Sequence, residues 1–423
     1  MVQDDRFFDE IEGMPVSSRQ SYYDREVRRI ASYAYNHSKA MRSIFDAACI
    51  KPGDIRSVKD LEKVPVTPKG EIRRLQKEYQ PFGGLLACPV GKLARIFVSP
   101  GPIYDVEGRN RSVAEAKAFY AMGFRPGDVV INAFSYHFVR AGWSMDEGLE
   151  KLGCVIIPAG VGNTELQVQV MHDLKVKGFA GTPSFLMALI QKAESMGYDF
   201  RKDFELRLAY LGAERLTPSS RRVFEEDYGI STGDSYGTAE LGQLAYSCSQ
   251  RAGLHVPEEV FVEIVDPATG EQMPRGELGE VVATSFDRTF PVLRVGTGDL
   301  SFFDDEPCRC GRTSNRLVKI AGRVTDSVKV RGIFVHPKEV EGLVDSMTQV
   351  SNFHMIVSRP SYRDELTVKL ELSCDINEQK NVCETLQNRF QDICRIKIDT
   401  IEIVPSGTLA RDNKRLTDTR NWD

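Results

Sequence analysis

Between about residues 95 and 300 the chain alternates short apolar runs with longer amphipathic stretches. The runs RIFVS, DVVINAFS, CVIIPAG, GFAGTP, LRLAYLGAE and ISTGDSYG lead into turns rich in Gly, Ser and Thr, and each reads as a strand. Between them SVAEAKAFYAMG, SMDEGLEKLG, ELQVQVMHDLKVKG, SFLMALIQKAESMG and PSSRRVFEEDYG repeat apolar residues at helical spacing. Buried strands alternating with amphipathic helices predict an α/β fold with a parallel or mixed sheet. Ligands bind such sheets at the C-terminal strand ends, where these turns fall.

The pattern differs on either side. Residues 20–50 read as helical, with Tyr22, Val27, Ile30, Tyr33 and Ala34 on one face. KPGDIRSVKDLEKVPVTPKGEIRRLQ follows as a loop and two helices. Ser57 or Asp60 is placed to cap the first, and Thr67 with Pro68 at the first helical position to start the second. Residues 255–303 read as antiparallel strands forming a β subdomain. Beyond Ile320, strands and two helices make an α+β unit of about a hundred residues. The division expected is a large domain over 1–322 and a small one over 323–423.

The 423 residues exceed what one core usually supports, in keeping with two domains. The net charge of −5 gives no global basic field, so nucleic acid is not an expected partner and an anionic ligand must be held locally. No apolar stretch approaches the roughly 20 residues that cross a bilayer, and MVQDDRFFDEIEGM lacks a signal-peptide pattern, so no membrane association is expected. Nine cysteines, mostly scattered, fit reduced thiols in the cytoplasm.

Four segments hold candidate chemistry. In Ser235-Tyr236-Gly237-Thr238-Ala239-Glu240 a glycine lets the backbone approach a ligand, Tyr236 can stack on a base, Thr238 can bond phosphate, and Glu240 can ligate Mg²⁺. Taken alone, the segment also fits a strand-to-helix turn with a capping threonine. Asp299, in Thr297-Gly298-Asp299, can accept both hydroxyls of a ribose, or be an ordinary hairpin aspartate. Gly322-Arg323-Val324-Thr325-Asp326 and the tail around Lys414 add basic groups. A lysine on a small mobile domain can neutralise developing phosphate charge; a solvated basic tail is the plain alternative. Separately, Cys248, His255, Cys308 and Cys310 supply three thiolates and one imidazole, a closed set for tetrahedral zinc, although the two halves are far apart in sequence.

The order and spacing of these segments resemble the core motifs of the adenylate-forming superfamily, and most of all those of phenylacetate–CoA ligases. The likeness runs over nearly the whole chain and includes KPGDIRSVKDLEKVPVTPKGEIR, RPGDVVINAFSY, GNTELQVQ, GTPSF, LGAE, AGLHVPEE, CRCGRTSNR and DELTVKLEL. It implies a large nucleotide-binding domain and a mobile C-terminal domain turning at about Arg323–Asp326. It implies ATP and AMP as ligands, Mg²⁺ as cofactor, CoA as co-substrate, a small carboxylic acid of the aryl or arylacetic class, and a homodimer. Gly212, Ala213 and Glu214 would then lie along the adenine. Tyr236, Gly237 and Thr238 would touch the adenine or the α-phosphate. Glu240 would hold Mg²⁺, Asp299 with Arg323 the ribose, and Lys414 the charge of the adenylation transition state. Tyr136, Phe138, Gly181, Thr182 and Pro183 would help line the acyl pocket, with His137 either there or a plain loop residue. A zinc site in matching segments of some relatives favours zinc at the four Cys and His positions.

Two departures stand out. The family's phosphate loop, rich in Ser, Thr and Gly and ending in Gly-Lys-Pro, is here Ser99-Pro100-Gly101-Pro102-Ile103-Tyr104-Asp105-Val106-Glu107-Gly108. Prolines remove N–H donors, and Asp105 and Glu107 would repel phosphate unless Mg²⁺ intervened. Thr325 stands where an acidic hinge residue is usual. The adenosine half of the site therefore reads as intact and the pyrophosphate half as altered. The leading reading is an AMP-forming acid–CoA ligase. Its alternatives are an adenylating enzyme with another acceptor and a relative that binds nucleotide or aromatic acid without turnover.

Overall fold

The computed structural model describes residues 5–99, 103–109, 112–267, 269–277, 279–324, 328–331, 333–335, 337–394, 396–409 and 415–420. The chain forms two compact units. The first comprises Met1–Gly181, Ala188–Gly212 and Arg221–Val324; the second comprises Thr182–Met187, Ala213–Ser220 and Thr325–Asp423.

In the first unit the apolar runs become a nine-stranded sheet. Five of its strands are parallel, in the spatial order Val155–Pro158, Val129–Asn132, Gly178–Gly181, Leu208–Leu211 and Ser231–Thr238. Antiparallel strands Gly242–Ser247, Leu254–His255, Arg316–Leu317 and Phe303–Asp304 then extend it. The strand ends at Gly181, Leu211 and Ser235 thus stand side by side.

A second sheet joins Val260–Val265, Gly279–Ser285 and Val295–Ser301 in antiparallel order. Val295–Ser301 also pairs with Gly322–Arg323 and, in parallel, with the two-residue strand Thr67–Pro68. The β subdomain therefore begins at Val260 rather than at 255, because His255 belongs to the larger sheet. The helix Val16–His37 buries Tyr23, Val27, Ile30, Ala31 and Ala34, and these join the strands' Val262, Ile264 and Ala283 in one core. Each such fully buried large apolar side chain contributes about 1.5–3 kcal/mol. The helical stretch expected over 20–50 is broken at Ser38, whose extended backbone ends the first helix while its hydroxyl caps the next, Lys39–Ala47, at Met41 N.

The run RIFVS is not part of the parallel sheet. It lies in Leu93–Ser99, which forms an antiparallel pair with Ile103–Gly108, the stretch expected to be phosphate loop. The carboxylates of that second strand are buried against arginines, which is what lets so polar a sequence sit in a strand.

In the second unit a four-stranded sheet runs Thr400–Val404, Glu365–Leu372, Val350–Ser358 and Leu416–Asp418. The helices Pro337–Asp345 and Ile376–Cys394 contribute Val340, Leu343, Val382, Leu386 and Phe390 to its core. Among the described residues no helix is long and apolar enough to cross a membrane.

Candidate active site

The strand Ser231–Thr238 passes from its parallel neighbour into a tight antiparallel turn with Gly242–Ser247. Gly237 is required there: a Cβ would stand 2.5 Å from the carbonyl oxygen of Gly242. The turn presents Tyr236, whose hydroxyl donates to Asp299 Oδ2 at 2.9 Å. Asp299 lies opposite Arg323 across a strand pair, and Arg323 Nε is 3.0 Å from Asp299 Oδ1. Burial, and then the charge of Asp299, push the Tyr236 phenol well up, so it remains a donor. The two side chains expected on the ribose, Asp299 and Arg323, are thus brought together with Tyr236, expected at the adenine or α-phosphate. A carboxylate held by two donors still offers lone pairs to two hydroxyls.

Thr238 Oγ1 accepts from Leu241 N at 3.3 Å, which leaves its hydroxyl hydrogen for another acceptor. Gly212 follows the strand Leu208–Leu211 and donates to Gly181 O at 3.1 Å; a Cβ at Gly212 would meet Ser235 Oγ at 3.1 Å. Ala213 has a left-handed backbone, φ 63. Glu214 accepts from Ser184 N and Oγ at 3.2 and 2.9 Å. Thr182 Oγ1 caps the helix Pro183–Ser195 at Phe185 N, with Pro183 first in the helix.

Elsewhere in the first unit, the parallel pairing of Thr67 with Val295 and Pro68 with Gly296 fixes the start of the helix Lys69–Glu78. Lys69 Nζ lies 3.1 Å from Glu240 Oε2, with Glu240 nearly buried. Asp105 is buried and its Oδ1 takes Arg140 Nη1 at 3.3 Å. Burial pushes the Asp105 carboxyl up to about 6; Arg140 opposes the shift and the charge of Glu240 adds to it. Glu240 Oε2, Asp105 Oδ2 and Arg140 Nε are buried and take no hydrogen bond. The Glu240 oxygen facing Lys69 takes no hydrogen bond, and a carboxylate oxygen is what a hard cation such as Mg²⁺ takes, so Glu240 fits the role of metal ligand. Sequence reasoning missed Lys69 and Arg140. The Thr-Pro-Lys triplet was the available signal for the first.

Tyr136 donates to Asp146 Oδ1 at 2.5 Å and packs edge-on against Trp143, ring centroids 5.4 Å apart. Phe138 is 66% exposed and has φ 61. Lys414, and the hinge positions 325 and 326, lie outside the described residues.

The thiol–imidazole set converges. One ligand atom from each of Cys248, His255, Cys308 and Cys310 lies within 4.8 Å of all the others. Cys248 Sγ is 3.7 Å from Cys308 Sγ, and Cys310 Sγ is 3.4 Å from His255 Nε2. Donors around a tetrahedral zinc stand about 3.5–3.8 Å apart, given Zn–S of about 2.3 Å and Zn–N of about 2.0–2.1 Å, so the set fits zinc. Ser314 Oγ lies 3.4 Å from His255 Nδ1, which turns Nε2 toward the thiols, and Arg312 N donates to Cys310 Sγ at 3.5 Å. Cys310 is pushed far down, first by the hydrogen bond from Cys248 and then by His255.

Comparison with known proteins agrees with this geometry. Residues 109–286 match the family model for AMP-binding enzymes, and residues 332–420 match that for the AMP-binding enzyme C-terminal domain. Phenylacetate–coenzyme A ligase of Thermus thermophilus is 32% identical over 378 residues, covering 86% of this chain and 84% of the relative. The enzyme of that name from Escherichia coli is 30% identical over 437 residues, covering 98% of each. Among solved structures, 2-hydroxyisobutyryl-CoA ligase in complex with its acyl-AMP and CoA superposes with a TM-score of 0.94 at 26% identity, covering 99% of this chain and 93% of that one. The chain belongs to the phenylacetate–CoA ligase family of adenylate-forming enzymes and is an ATP-dependent, AMP-forming acid–CoA ligase.

Proposed function

We propose that the acid is an aryl or arylacetic carboxylate, phenylacetate-like in kind. The observation behind this is the aromatic set Tyr136, Trp143 and Phe138 on the segment after the strand Val129–Asn132. The names of the sequence relatives point the same way. In the first step the carboxylate oxygen bonds to the α-phosphorus of ATP, the bond to the β-phosphate oxygen breaks, and pyrophosphate leaves. Asp299, oriented by Tyr236 and Arg323, holds the ribose hydroxyls. Thr238 donates to the α-phosphate, and Glu240 seats Mg²⁺, which supplies charge neutralisation at the phosphates. Lys414 stabilises the charge that builds on the pentavalent phosphorus. In the second step the CoA thiol displaces AMP from the acyl carbon.

The same reading assigns a structural zinc to Cys248, His255, Cys308 and Cys310. Four protein ligands leave no position for activated water, so the ion's role would be to pin the ends of the larger sheet. Nine free thiols suit the cytoplasm. The family resemblance further suggests a homodimer.

The test is pyrophosphate release with Mg·ATP across benzoates, arylacetates and 2-hydroxyisobutyrate, each with and without CoA. Release specific to the aromatic acids, with acyl-CoA as product, is the expected result. Release with 2-hydroxyisobutyrate alone would transfer the assignment to small branched acids, the class in the structural neighbour's name.

A further inference from the structure

The hairpin of Leu93–Ser99 and Ile103–Gly108 lies against the segment that carries Tyr136, Phe138 and Trp143. We propose that Arg95, on the first of its strands, is a positioning residue for the acid: it sets Trp143, and through it Tyr136, in the acyl pocket. The proposal rests on the reading that these aromatic side chains take the acid.

Trp143 and Glu147 are four residues apart on the helix Ala141–Leu152 and so share one face of it. Arg95 meets both. Its guanidinium carbon stands 4.5 Å from the centre of the Trp143 ring, over the ring's face. Its Nη1 donates to Glu147 Oε1 and, at 2.6 Å, to Oε2 of Glu107, the residue paired with it across the hairpin. The two carboxylates, one from the helix and one from the hairpin, fix the guanidinium where it covers the ring. Trp143 passes the placement on. Its Nε1 donates to the Tyr136 carbonyl at 3.1 Å, and the two rings meet edge to face at 5.4 Å. Tyr136 in turn donates to Asp146 Oδ1 at 2.5 Å, an oxygen that also takes Asn132 Nδ2 at 2.9 Å. Gly142 leaves the room: a Cβ there would stand 2.9 Å from Tyr136 Cγ. The same strand fastens the middle of the segment, since Val98 N donates to the Phe138 carbonyl at 2.7 Å. Phe138 has the left-handed backbone, φ 61, that a bulky residue keeps only where its neighbours hold it. The aromatic set is thus seated on the hairpin as well as on the sheet. The planar cation on the ring face is the part of that seat a lysine cannot reproduce.

Steady-state kinetics of the full-length chain test this, with the KM for the acid and the KM for Mg·ATP measured separately. The acid is the arylacetate or benzoate that the unaltered chain turns over best. Arg95→Met should raise the KM for the acid by about tenfold and leave that for Mg·ATP within about twofold, the pattern of lost acid binding. Arg95→Lys, which keeps the charge but not the plane, should fall between Arg95→Met and the unaltered chain. Trp143→Leu should raise the KM for the acid at least as far as Arg95→Met does. Equal rises in both KM values in the Arg95 variants, or none, overturn the proposal, while a raised KM for the acid in Trp143→Leu leaves the aromatic reading standing. An unchanged KM for the acid in Trp143→Leu, or turnover of 2-hydroxyisobutyrate alone, removes that reading and the proposal with it. Should Arg95→Met fail to fold, Arg95→Lys decides by the same division between the two KM values.

Discussion

The block around the thiol–imidazole cluster and the rim around Glu240 use the same residue types and leave them in opposite states. In the block, Glu258 takes Arg19 on one oxygen and Lys117 on the other, each at 2.8 Å. Glu12 accepts from Arg312 at 2.5 Å, from Tyr246 at 3.1 Å, and from the backbone N–H of Phe8 and Asp9. At the rim, Glu240, Asp105 and Arg140 each keep a buried polar atom without a hydrogen bond. Burying an unpaired polar atom is unfavourable, so a fold accepts it where something from solution will complete the set. The contrast separates Glu258 and Glu12, whose oxygens are taken from within the fold, from Glu240 and Asp105, which each keep a buried oxygen without a hydrogen bond, as Glu259 beside Glu258 also does.

Four experiments would break or sharpen that contrast. The largest effect is expected in the block. A strong chelator, or Cys308→Ser, should lower the stability of the first unit by several kcal/mol, on a scale where isolated zinc fingers gain about 10–16 kcal/mol from the ion. Metal analysis and the drop in Tm report it, and an unchanged Tm with no metal released would mean that hydrogen bonds alone close the cluster.

Next, Glu258→Gln should cost about 3–5 kcal/mol, since it removes the carboxylate paired with buried Arg19 and leaves Lys117 to Glu259. It should also alter the acid response. Burial pushes the Glu258 carboxyl up, but the charges of Lys117 and Arg19 outweigh it and hold the group below its ordinary value of 4.5. A depressed carboxylate contributes stability that is fully present above about pH 4.5 and is lost as the pH falls through the lowered value. Urea titrations from pH 7 downward should show this decline in the native protein and a shallower one in the variant. Equal slopes would contradict the assignment.

For residues assigned to the reaction, changes should act on rate rather than stability. Lys414→Ala is expected to slow adenylation by about 10²–10³-fold, or roughly 2.7–4 kcal/mol. Acyl-CoA formation from preformed acyl-adenylate should survive, and equal loss of both half-reactions would count against the residue. The smallest effect belongs to Tyr236→Phe. Loss of one hydrogen bond to Asp299, worth about 0.5–1.5 kcal/mol, should raise the KM for ATP by up to about tenfold with little change in Tm.

The cluster of Tyr236, Asp299 and Arg323 was partly legible in the chain. Tyr236, Asp299 and Arg323 each sit in a short turn motif whose order in sequence announces it, and the strands then set them 2.9 and 3.0 Å apart. The thiols and His255 were legible by residue type, even with the halves of the set far apart. The rim was not. A two-residue parallel bridge has no periodicity to detect, so Pro68 read as the first helical residue, whereas it precedes the helix and pairs with Gly296. Asp105 and Glu107 read as repulsive loop residues because their partners, Arg140 and Arg95, are identifiable only once the hairpin and the helix Ala141–Leu152 are in place. Long-range charge pairing leaves no local signature.

The bridge at Thr67–Pro68 has a practical consequence for anyone cutting the gene. The segment that matches the family model starts at 109, and a chain begun at that residue would be a natural choice for expression. Such a fragment would lack the strand beside Val295–Gly296, the lysine beside Glu240, and Asp105. The second sheet and Glu240 would then be missing neighbours that the matched segment itself gives no reason to include.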